Sequence, residues 1–92
     1  MNVTVEYTAQ IKRAAGHSRE HYTLEENATV QDLVQQIAIR HGEKLQSVLF
    51  DENGSALATV LIFVEDEQAN RQLDRILNDN DTVTFLSPIS GG

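Results

Sequence analysis

Cysteine and tryptophan are both absent from the 92-residue sequence, and proline occurs once. The absence of cysteine excludes disulfides, a thiolate nucleophile, zinc–thiolate sites and cysteine-held iron–sulfur clusters. Basic residues are scarce, since seven Lys and Arg stand against fourteen Asp and Glu and leave a formal net charge of −7. Such a surface repels phosphate backbones and anionic lipid, so nucleic-acid and membrane partners are not expected. The charge indicates solubility, steering toward a basic partner, or both.

Long apolar runs are also missing. The longest strongly apolar stretch, residues 57–64, is far too short to span a bilayer, and no signal peptide opens the chain. We therefore expect a cytoplasmic protein. A domain of this length buries only roughly 60% of its unfolded surface, which leaves little room for a water-excluded active site built from its own side chains. Carrier, adaptor and binding roles are favoured over enzymatic ones.

Two strands are predicted near the N-terminus. Apolar residues alternate with polar ones over residues 3–11, which is the period-two pattern of a half-buried strand. Residues 12–19 contain two alanines and a glycine and predict a long turn. Alternation resumes over residues 21–25, so the pattern indicates a hairpin with a second strand.

A helix is predicted to begin after Thr29. Thr29 and Asp32 have the spacing of a capping-box variant, in which both side chains meet the free amides of a helix start. Gly42 follows the helical pattern at the place where a left-handed C-terminal cap is expected. One face of this helix is formed by Val30, Leu33, Val34, Ile37, Ala38 and His41.

The second half of the chain predicts two more strands. Residues 51–54 end in an Asn-Gly pair that suits a tight turn, and residues 57–64 are typical of a central strand covered on both sides. Residues 68–76 are compatible with a short edge strand or a turn of helix. Residues 78–81 predict a turn, and residues 82–86 predict the last strand.

This order of elements predicts an α+β domain of the β-grasp, ubiquitin-like type. We expect a mixed sheet of four to five strands packed on one main helix. A ferredoxin-like α+β domain is the alternative, but it normally needs a second full helix, and only residues 68–76 were left to supply one.

The last six residues have no predicted element to pack against. Pro88 holds the residue before it extended and lacks an amide hydrogen, so the tail is expected to project from the domain. Six extended residues reach roughly 20 Å, enough to enter the active site of a partner. We therefore divide the chain into a β-grasp domain over residues 1–86 and a flexible C-terminal Gly-Gly tail over residues 87–92.

The paired glycines at the end of the tail leave the terminal carboxylate sterically accessible, since glycine has no side chain to obstruct a narrow channel. Attack on a carboxylate needs prior activation, usually as an acyl adenylate formed with ATP. A sulfur donor could then displace AMP and leave a thiocarboxylate. The alternative interpretation is a frayed chain end, because termini are commonly small and polar.

Residues 81–92 resemble the end of the MoaD/ThiS family of ubiquitin-like sulfur-carrier proteins. Members of that family commonly close with an acidic turn, a Val-x-Phe strand, proline, a small apolar pair and Gly-Gly. Ser87 and Ser90 depart from the molybdopterin members, which often have proline and alanine there. The tail is the specific motif, and weaker likeness extends to residues 29–33, 49–54 and 62–66.

The resemblance implies a carrier rather than an enzyme. The terminal Gly92 would be adenylated by an E1-like adenylating enzyme and converted to a thiocarboxylate. Gly91, which has no side chain, would let the tail enter a narrow active-site channel. The sulfur would serve molybdopterin (molybdenum cofactor) biosynthesis, with this chain as the non-catalytic small subunit of a synthase. The residues implied in partner binding are Phe85, Leu86, Pro88 and Ile89.

Three kinds of partner are implied by the same resemblance. They are the adenylating enzyme, a synthase large subunit or other sulfur acceptor, and a sulfur donor such as a cysteine desulfurase or rhodanese. No bound cofactor is implied, because ATP is used by the activating enzyme. Sulfur transfer for thiazole, cysteine or tRNA thiolation pathways and ubiquitin-like modification of proteins are alternatives. A β-grasp interaction module that is never acylated is an alternative of a different class.

Two polar clusters contain residue types that bind metal ions. His17 and His21 have the spacing of two ligands on one helical turn, but the segment predicts a turn entering a strand, where side chains four residues apart are too distant for one ion. Residues 65–67 are three consecutive acids at a strand end, which is typical of a solvated turn. No metal site is expected.

Overall fold

The structure is a computed structural model that describes residues 1–50, 60–69 and 72–86. Five strands form one mixed sheet in the order β2-β1-β5-β3-β4, in which β1 and β5 are parallel and the other neighbours antiparallel. This sheet, packed on helices, confirms the predicted α+β, β-grasp fold. The elements are β1 (Asn2–Tyr7), α1 (Ala9–Ala15), β2 (Arg19–Thr23), α2 (Val30–His41), α3 (Glu43–Leu49), β3 (Leu61–Val64), β4 (Glu67–Gln68) and β5 (Thr82–Leu86).

One face of the sheet forms the core together with the helices, and the opposite face, called here the open face, does not. Alternation places every second side chain of β1, β3 and β5 on the core face, where each is buried. Burying a large apolar side chain of this kind stabilises a fold by about 1.5–3 kcal/mol. The core face consists of Val3, Val5, Tyr7, Tyr22, Ile62, Val64, Val83 and Phe85.

Helix α2 begins where the sequence predicts. The Thr29 hydroxyl accepts a hydrogen bond from the Asp32 amide at 3.2 Å, and the Asp32 carboxylate accepts one from the Thr29 amide at 2.9 Å. Both bonds of the capping box are therefore formed. The buried face of α2 contains Val30, Leu33, Val34 and Ile37, all of them in the predicted set.

The prediction of a strand through residue 11 followed by a long turn is wrong. Strand β1 ends at Tyr7, and α1 occupies Ala9–Ala15. Ile11 and Ala15 are four residues apart and both face the core, as expected for one face of a helix. Ile11 also fits the period-two pattern of residues 3–11, and the strand was therefore predicted to continue through it. Gly16, with φ of 81° and ψ of 0°, ends the helix in the left-handed region and donates its amide to Lys12.

A third helix follows α2 directly, in a segment that the sequence pattern left unassigned. The Gly42 amide donates to the Ala38 carbonyl, as expected of a C-terminal cap, but its ψ of −158° lies outside the left-handed region that was predicted. The chain therefore turns straight into α3, which buries Leu45 and Leu49 at a spacing of four residues.

The prediction of a central strand covered on both sides is wrong for the part of residues 57–64 that is described. Strand β3 covers Leu61–Val64 and lies between β5 and the edge strand β4, so β5 holds the centre of the sheet. Leu61 and Phe63 are only half-buried, because the helices pack on the other face. Residues 57–59 and the predicted Asn53-Gly54 turn lie outside the described residues.

The remaining predictions concern the chain between β3 and β5. For residues 68–76 the sequence left a short edge strand or a turn of helix open. Among the described residues of this range, Gln68 belongs to the edge strand β4. Ile76 forms an isolated antiparallel bridge with Thr29. The turn at residues 78–81 is confirmed, since the Asp81 carboxylate accepts from the Asn78 amide at 2.8 Å. No helix in the described ranges is long and apolar enough to cross a membrane.

Asparagine at Gly42 is expected to lower the free energy of unfolding by about 2 kcal/mol, because φ of 75° with ψ of −158° is a conformation that essentially only glycine adopts. Asparagine at Gly16 should cost about 1 kcal/mol or less, since asparagine tolerates the left-handed region. A Cβ at either glycine meets no atom within 4 Å, so crowding does not enter the comparison. Urea unfolding of Gly42→Asn and Gly16→Asn measures the difference, and equal losses would contradict this explanation.

Candidate functional site

The predicted tail, residues 87–92, follows the end of β5, the central strand, and this end of β5 is called here the tail root. The Phe85 carbonyl accepts hydrogen bonds from the Thr8 amide at 3.3 Å and from the Thr8 hydroxyl at 3.4 Å. Strands β1 and β3 flank β5 on its two sides, so the last described residues are fixed from both directions. The predicted site residues Pro88, Ile89, Gly91 and Gly92 lie outside the described residues.

The two described residues of the predicted partner-binding set lie on opposite faces of the sheet. Phe85 is 0% exposed and stacks on Tyr7, with 6.0 Å between ring centroids. Leu86 is half-buried on the open face, directly opposite Leu61 of β3. Leu86 is thus placed to touch a partner, whereas Phe85 is placed to hold β5 in the core. The role of both residues in partner binding stays a prediction.

An apolar patch on the open face adjoins the tail root. Leu86 pairs with Leu61, and the next pair on that face is Thr84 with Phe63, so three large apolar side chains lie side by side. We call Leu61, Phe63 and Leu86 the β3–β5 patch. Contiguous apolar surface with a polar surround is typical of sites where proteins associate. The sequence pattern missed Leu61 and Phe63 as surface residues because the apolar run was interpreted as covered on both sides.

Polar pairs border the patch on the neighbouring strands. Arg19 and Glu6 form an ion pair at 2.9 Å, and the Thr4 hydroxyl lies 3.3 Å from Nδ1 of His21. An exposed ion pair of this kind contributes about 0–1 kcal/mol to stability. These groups therefore provide a polar rim and little folding energy.

A buried polar cluster lies on the other face, between β1, β2 and the end of α2. Oε1 of Glu20 accepts a hydrogen bond from the Tyr7 hydroxyl at 2.7 Å and lies 2.7 Å from Nε2 of His41. A guanidinium nitrogen of Arg40 is 3.8 Å from the other carboxylate oxygen. The sequence assigned His41 to the helix face but missed this cluster, because Glu20 comes from a strand 21 residues earlier.

The electrostatics of the cluster follow from burial and from its hydrogen bonds. Burial, the largest single effect, raises the pKa of Glu20, but the hydrogen bonds from Tyr7 and His41 and the charges of His41 and Arg40 together outweigh it and leave the pKa below its ordinary 4.5. Burial, reinforced by the bond to Glu20, raises the pKa of the Tyr7 hydroxyl far above its ordinary range. The carboxylate is therefore ionised and the phenol protonated near neutral pH, which suits a structural link between α2 and the strands.

Metal binding and a surface cleft are the two remaining possibilities for ligand binding in the described ranges. In the described ranges, no group of three or more His, Asp or Glu side chains is arranged to hold a metal ion. A polar cleft of about 460 Å³ lies between residues 23–28 and the outer side of α2. Its Leu24 pairs with Met1, directly before the start of β1, whereas the tail root lies beside the end of β1. The cleft therefore lies away from the tail root.

The model of the ThiS family matches residues 5–92 of the chain, a range that includes the Gly-Gly end. Comparison with curated protein sequences gives no significant match. A protein from Pyrococcus furiosus assigned as molybdopterin converting factor, subunit 1, is 33% identical with a TM-score of 0.79, over 97% of this chain and 99% of that chain.

Two other solved structures are similar in fold. SAMP1 from Haloferax volcanii is 22% identical and has a TM-score of 0.90 over 100% of both chains. A chain of the BexX/CysO complex from Amycolatopsis orientalis is 24% identical and has a TM-score of 0.75, over 98% of this chain and 99% of that chain. These two likenesses show the same fold.

Substitution of Glu20 by glutamine is expected to remove an acid-dependent part of the stability. Because the pKa of Glu20 in the folded state is lowered below 4.5, its stabilising contribution is complete above about pH 4.5 and is lost as pH falls through the lower folded value. The wild-type free energy of unfolding should therefore fall more steeply with acid than that of Glu20→Gln. Urea unfolding followed across this pH range measures both profiles.

The control for this experiment is Glu25→Gln, which removes the same charge from an exposed carboxylate. Its profile should follow the wild type. Parallel profiles for wild type and Glu20→Gln would show that the buried cluster does not couple protonation to folding.

Proposed function

The chain belongs to the ThiS family of small ubiquitin-like sulfur carriers, and on that premise we propose that it carries sulfur as a thiocarboxylate on Gly92 for molybdopterin biosynthesis. The observation that supports this most is that the family match runs through residue 92 and so includes the Gly-Gly end. The molybdopterin assignment is favoured by the 33% identity to the Pyrococcus furiosus protein. In this proposal the chain is the small subunit of a synthase and acts in the cytoplasm.

The chemistry needs one reactive group from this chain, the terminal carboxylate. A carboxylate oxygen attacks the α-phosphorus of ATP on the adenylating enzyme, pyrophosphate leaves, and an acyl adenylate forms. The outer sulfur of a persulfide on a donor such as a cysteine desulfurase or rhodanese then attacks the carbonyl carbon, AMP leaves, and an acyl disulfide forms. A thiol reduces the S–S bond of this acyl disulfide by two electrons, which releases the thiocarboxylate and leaves the thiol and the donor cysteine as a disulfide. The net change on the carrier is the replacement of one oxygen atom by sulfur, and the sulfur later passes to the acceptor.

The fold contributes a fixed origin for the tail. Strand β5 is held by β1 on one side and by β3 on the other, and Thr8 binds the Phe85 carbonyl directly before Leu86. Positioning a reactive group in this way lowers the entropy cost of bringing it to a partner's active site. A domain that docks in one orientation therefore delivers the tail in one direction.

The β3–β5 patch is the surface we propose for docking on the adenylating enzyme. It combines half-buried Leu61, Phe63 and Leu86 with the polar rim of the neighbouring strands, which is the usual anatomy of a protein interface. Leu86 is the last described residue before the tail, so docking at the patch and insertion of the tail are geometrically continuous. The sulfur acceptor would use the same surface in turn, since both partners must receive the same tail.

Intact-mass spectrometry tests the proposed chemistry. Incubation with the adenylating enzyme of the same organism, ATP and a sulfur donor should add ~16 Da, the difference between sulfur and oxygen. The variant lacking Gly92 should show no such addition and should unfold at nearly the wild-type temperature, because chain ends contribute little to a core. An unchanged mass of the wild type would support a non-acylated interaction module instead.

The acceptor decides among the acylated alternatives. Transfer of sulfur to a molybdopterin precursor by the loaded carrier and a synthase large subunit supports the molybdopterin assignment. Transfer in thiazole, cysteine or tRNA thiolation assays would support another pathway, and attachment to lysine side chains would support protein modification.

Substitution of Leu86 by threonine should raise the KM for adenylation at least about fivefold, because truncating an apolar residue at the centre of an interface commonly costs more than 1 kcal/mol. Threonine keeps the strand propensity of the site. The matched control is Ile39→Thr, which removes an exposed apolar side chain from α2, on the helix side of the sheet and away from the open face. Thermal unfolding confirms that both variants are folded, and equal KM values for both would argue against docking through the patch.

A further inference from the structure

The charges of this acidic protein are unevenly placed along the central strand. At the start of β5, the Glu65 carboxylate accepts from the Thr82 amide at 3.1 Å, and Asp66 follows in the same exposed turn. Nearby, the Asp79 carboxylate accepts from the Asn2 amide at 2.7 Å, at the start of β1. The tail leaves from the other end of β5, about 13 Å away at the usual rise per residue.

Three lysine and arginine side chains have no ion-pair partner among the described residues. Arg19, Arg40 and Arg75 pair with glutamates on the strands. Lys12, Arg13 and Lys44 make no such pair within the described part of the chain, and all three are exposed.

These three cations lie on two short helices that pack together. Lys12 and Arg13 are on α1, and Lys44 is on α3, which contacts α1. The one acidic residue in these helices is Glu43. We call Lys12, Arg13 and Lys44 the basic patch.

The basic patch is connected to the tail root through two hydrogen bonds. The Thr8 amide donates to the Phe85 carbonyl at 3.3 Å, and the Lys12 amide donates to the Thr8 carbonyl at 3.2 Å. Lys12 is thus one helical turn, about 6 Å along the helix axis, from the residue that holds the end of β5. The inward residues of α1 are Ile11 and Ala15, so the cations of this helix face solvent.

We propose that the basic patch binds an acidic surface beside the entrance through which the activating enzyme receives the tail. This inference rests on the proposed function and adds the charge of the partner's docking surface. It reverses the expectation from net charge, which by itself favours a basic partner. The reason is screening, since the Debye length is about 8 Å at physiological ionic strength and the acidic end of β5 lies beyond that distance from the tail root.

The functional consequence is orientation. A molecule with cations beside the tail root and carboxylates at the far end of β5 turns the tail root toward an acidic surface as it approaches. Complementary charge of this kind acts mainly on the association rate and on the rejection of wrong partners.

Two variants with the same net charge test the proposal. Lys12→Gln/Arg13→Gln removes two positive charges from the basic patch, and Gln35→Glu/Gln36→Glu adds two negative charges to the exposed side of α2. Stopped-flow association with the adenylating enzyme of the same organism should be roughly threefold to tenfold slower for the first variant at about 0.15 M ionic strength, where the Debye length is about 8 Å. The second variant should stay within about twofold of the wild type, and the difference should shrink at high salt.

The sign of the effect is decisive. If the partner surface is basic, removing two cations accelerates association, and that result or an unchanged rate overturns the proposal. The charge-conserving variant Lys12→Arg/Arg13→Lys should associate like the wild type, which separates charge from helix stability.

A second measurement keeps this inference separate from the proposed function. If the wild type is not adenylated at all, the proposed function fails, and NMR titration of the protein alone with a hexaglutamate peptide at low salt tests the basic patch directly. The expected result is amide shift changes at Lys12, Arg13 and Lys44, with none at Glu65 and Asp79. No response, or a response at the acidic end, overturns the proposal.

Discussion

The parallel pairing of β1 with β5 is the constraint on which the rest of the molecule depends. It places the last strand between β1 and β3, with Val5 beside Val83 and Tyr7 beside Phe85 in the core. Parallel strands need a long connection between them, and here nearly the whole domain, including α1, α2 and α3, supplies it. The root of the tail is therefore fixed by the most central contacts of the fold, although the tail itself follows the last strand.

One face of the sheet forms the core, and the other carries the apolar patch that we propose for recognition. The helices cover only one face, so the alternation that buries Phe85 necessarily presents Leu86 on the other. Strand β3 does the same with Ile62 and Phe63. An apolar surface beside the tail root is thus a direct result of a two-layer β-grasp domain with apolar residues at successive positions of its inner strands.

The buried cluster around Glu20 and the exposed basic patch show opposite uses of charge. Glu20 is surrounded by donors from Tyr7 and His41, so its charge is compensated inside the protein and serves to join α2 to the sheet. Lys12 and Arg13 have no such compensation among the described residues and face solvent, so their charge is available to another molecule. The net charge of −7 does not show this difference, because it sums charged groups that lie farther apart than the distance over which salt screens their interaction.

The sequence alone determined the features that depend on residues close together in the chain. These are the capping box at Thr29, the amphipathic face of α2, the turn before β5 and the resemblance of residues 81–92 to a sulfur carrier. It misassigned α1, because Ile11 fits both a period of two and a helical spacing, and only packing against the sheet chooses between them. Tertiary structure alone decided that β5 is central, that Phe63 is a surface residue, and that Glu20 meets His41. Each of these depends on which strands become neighbours, and that is settled by long-range pairing that periodicity does not encode.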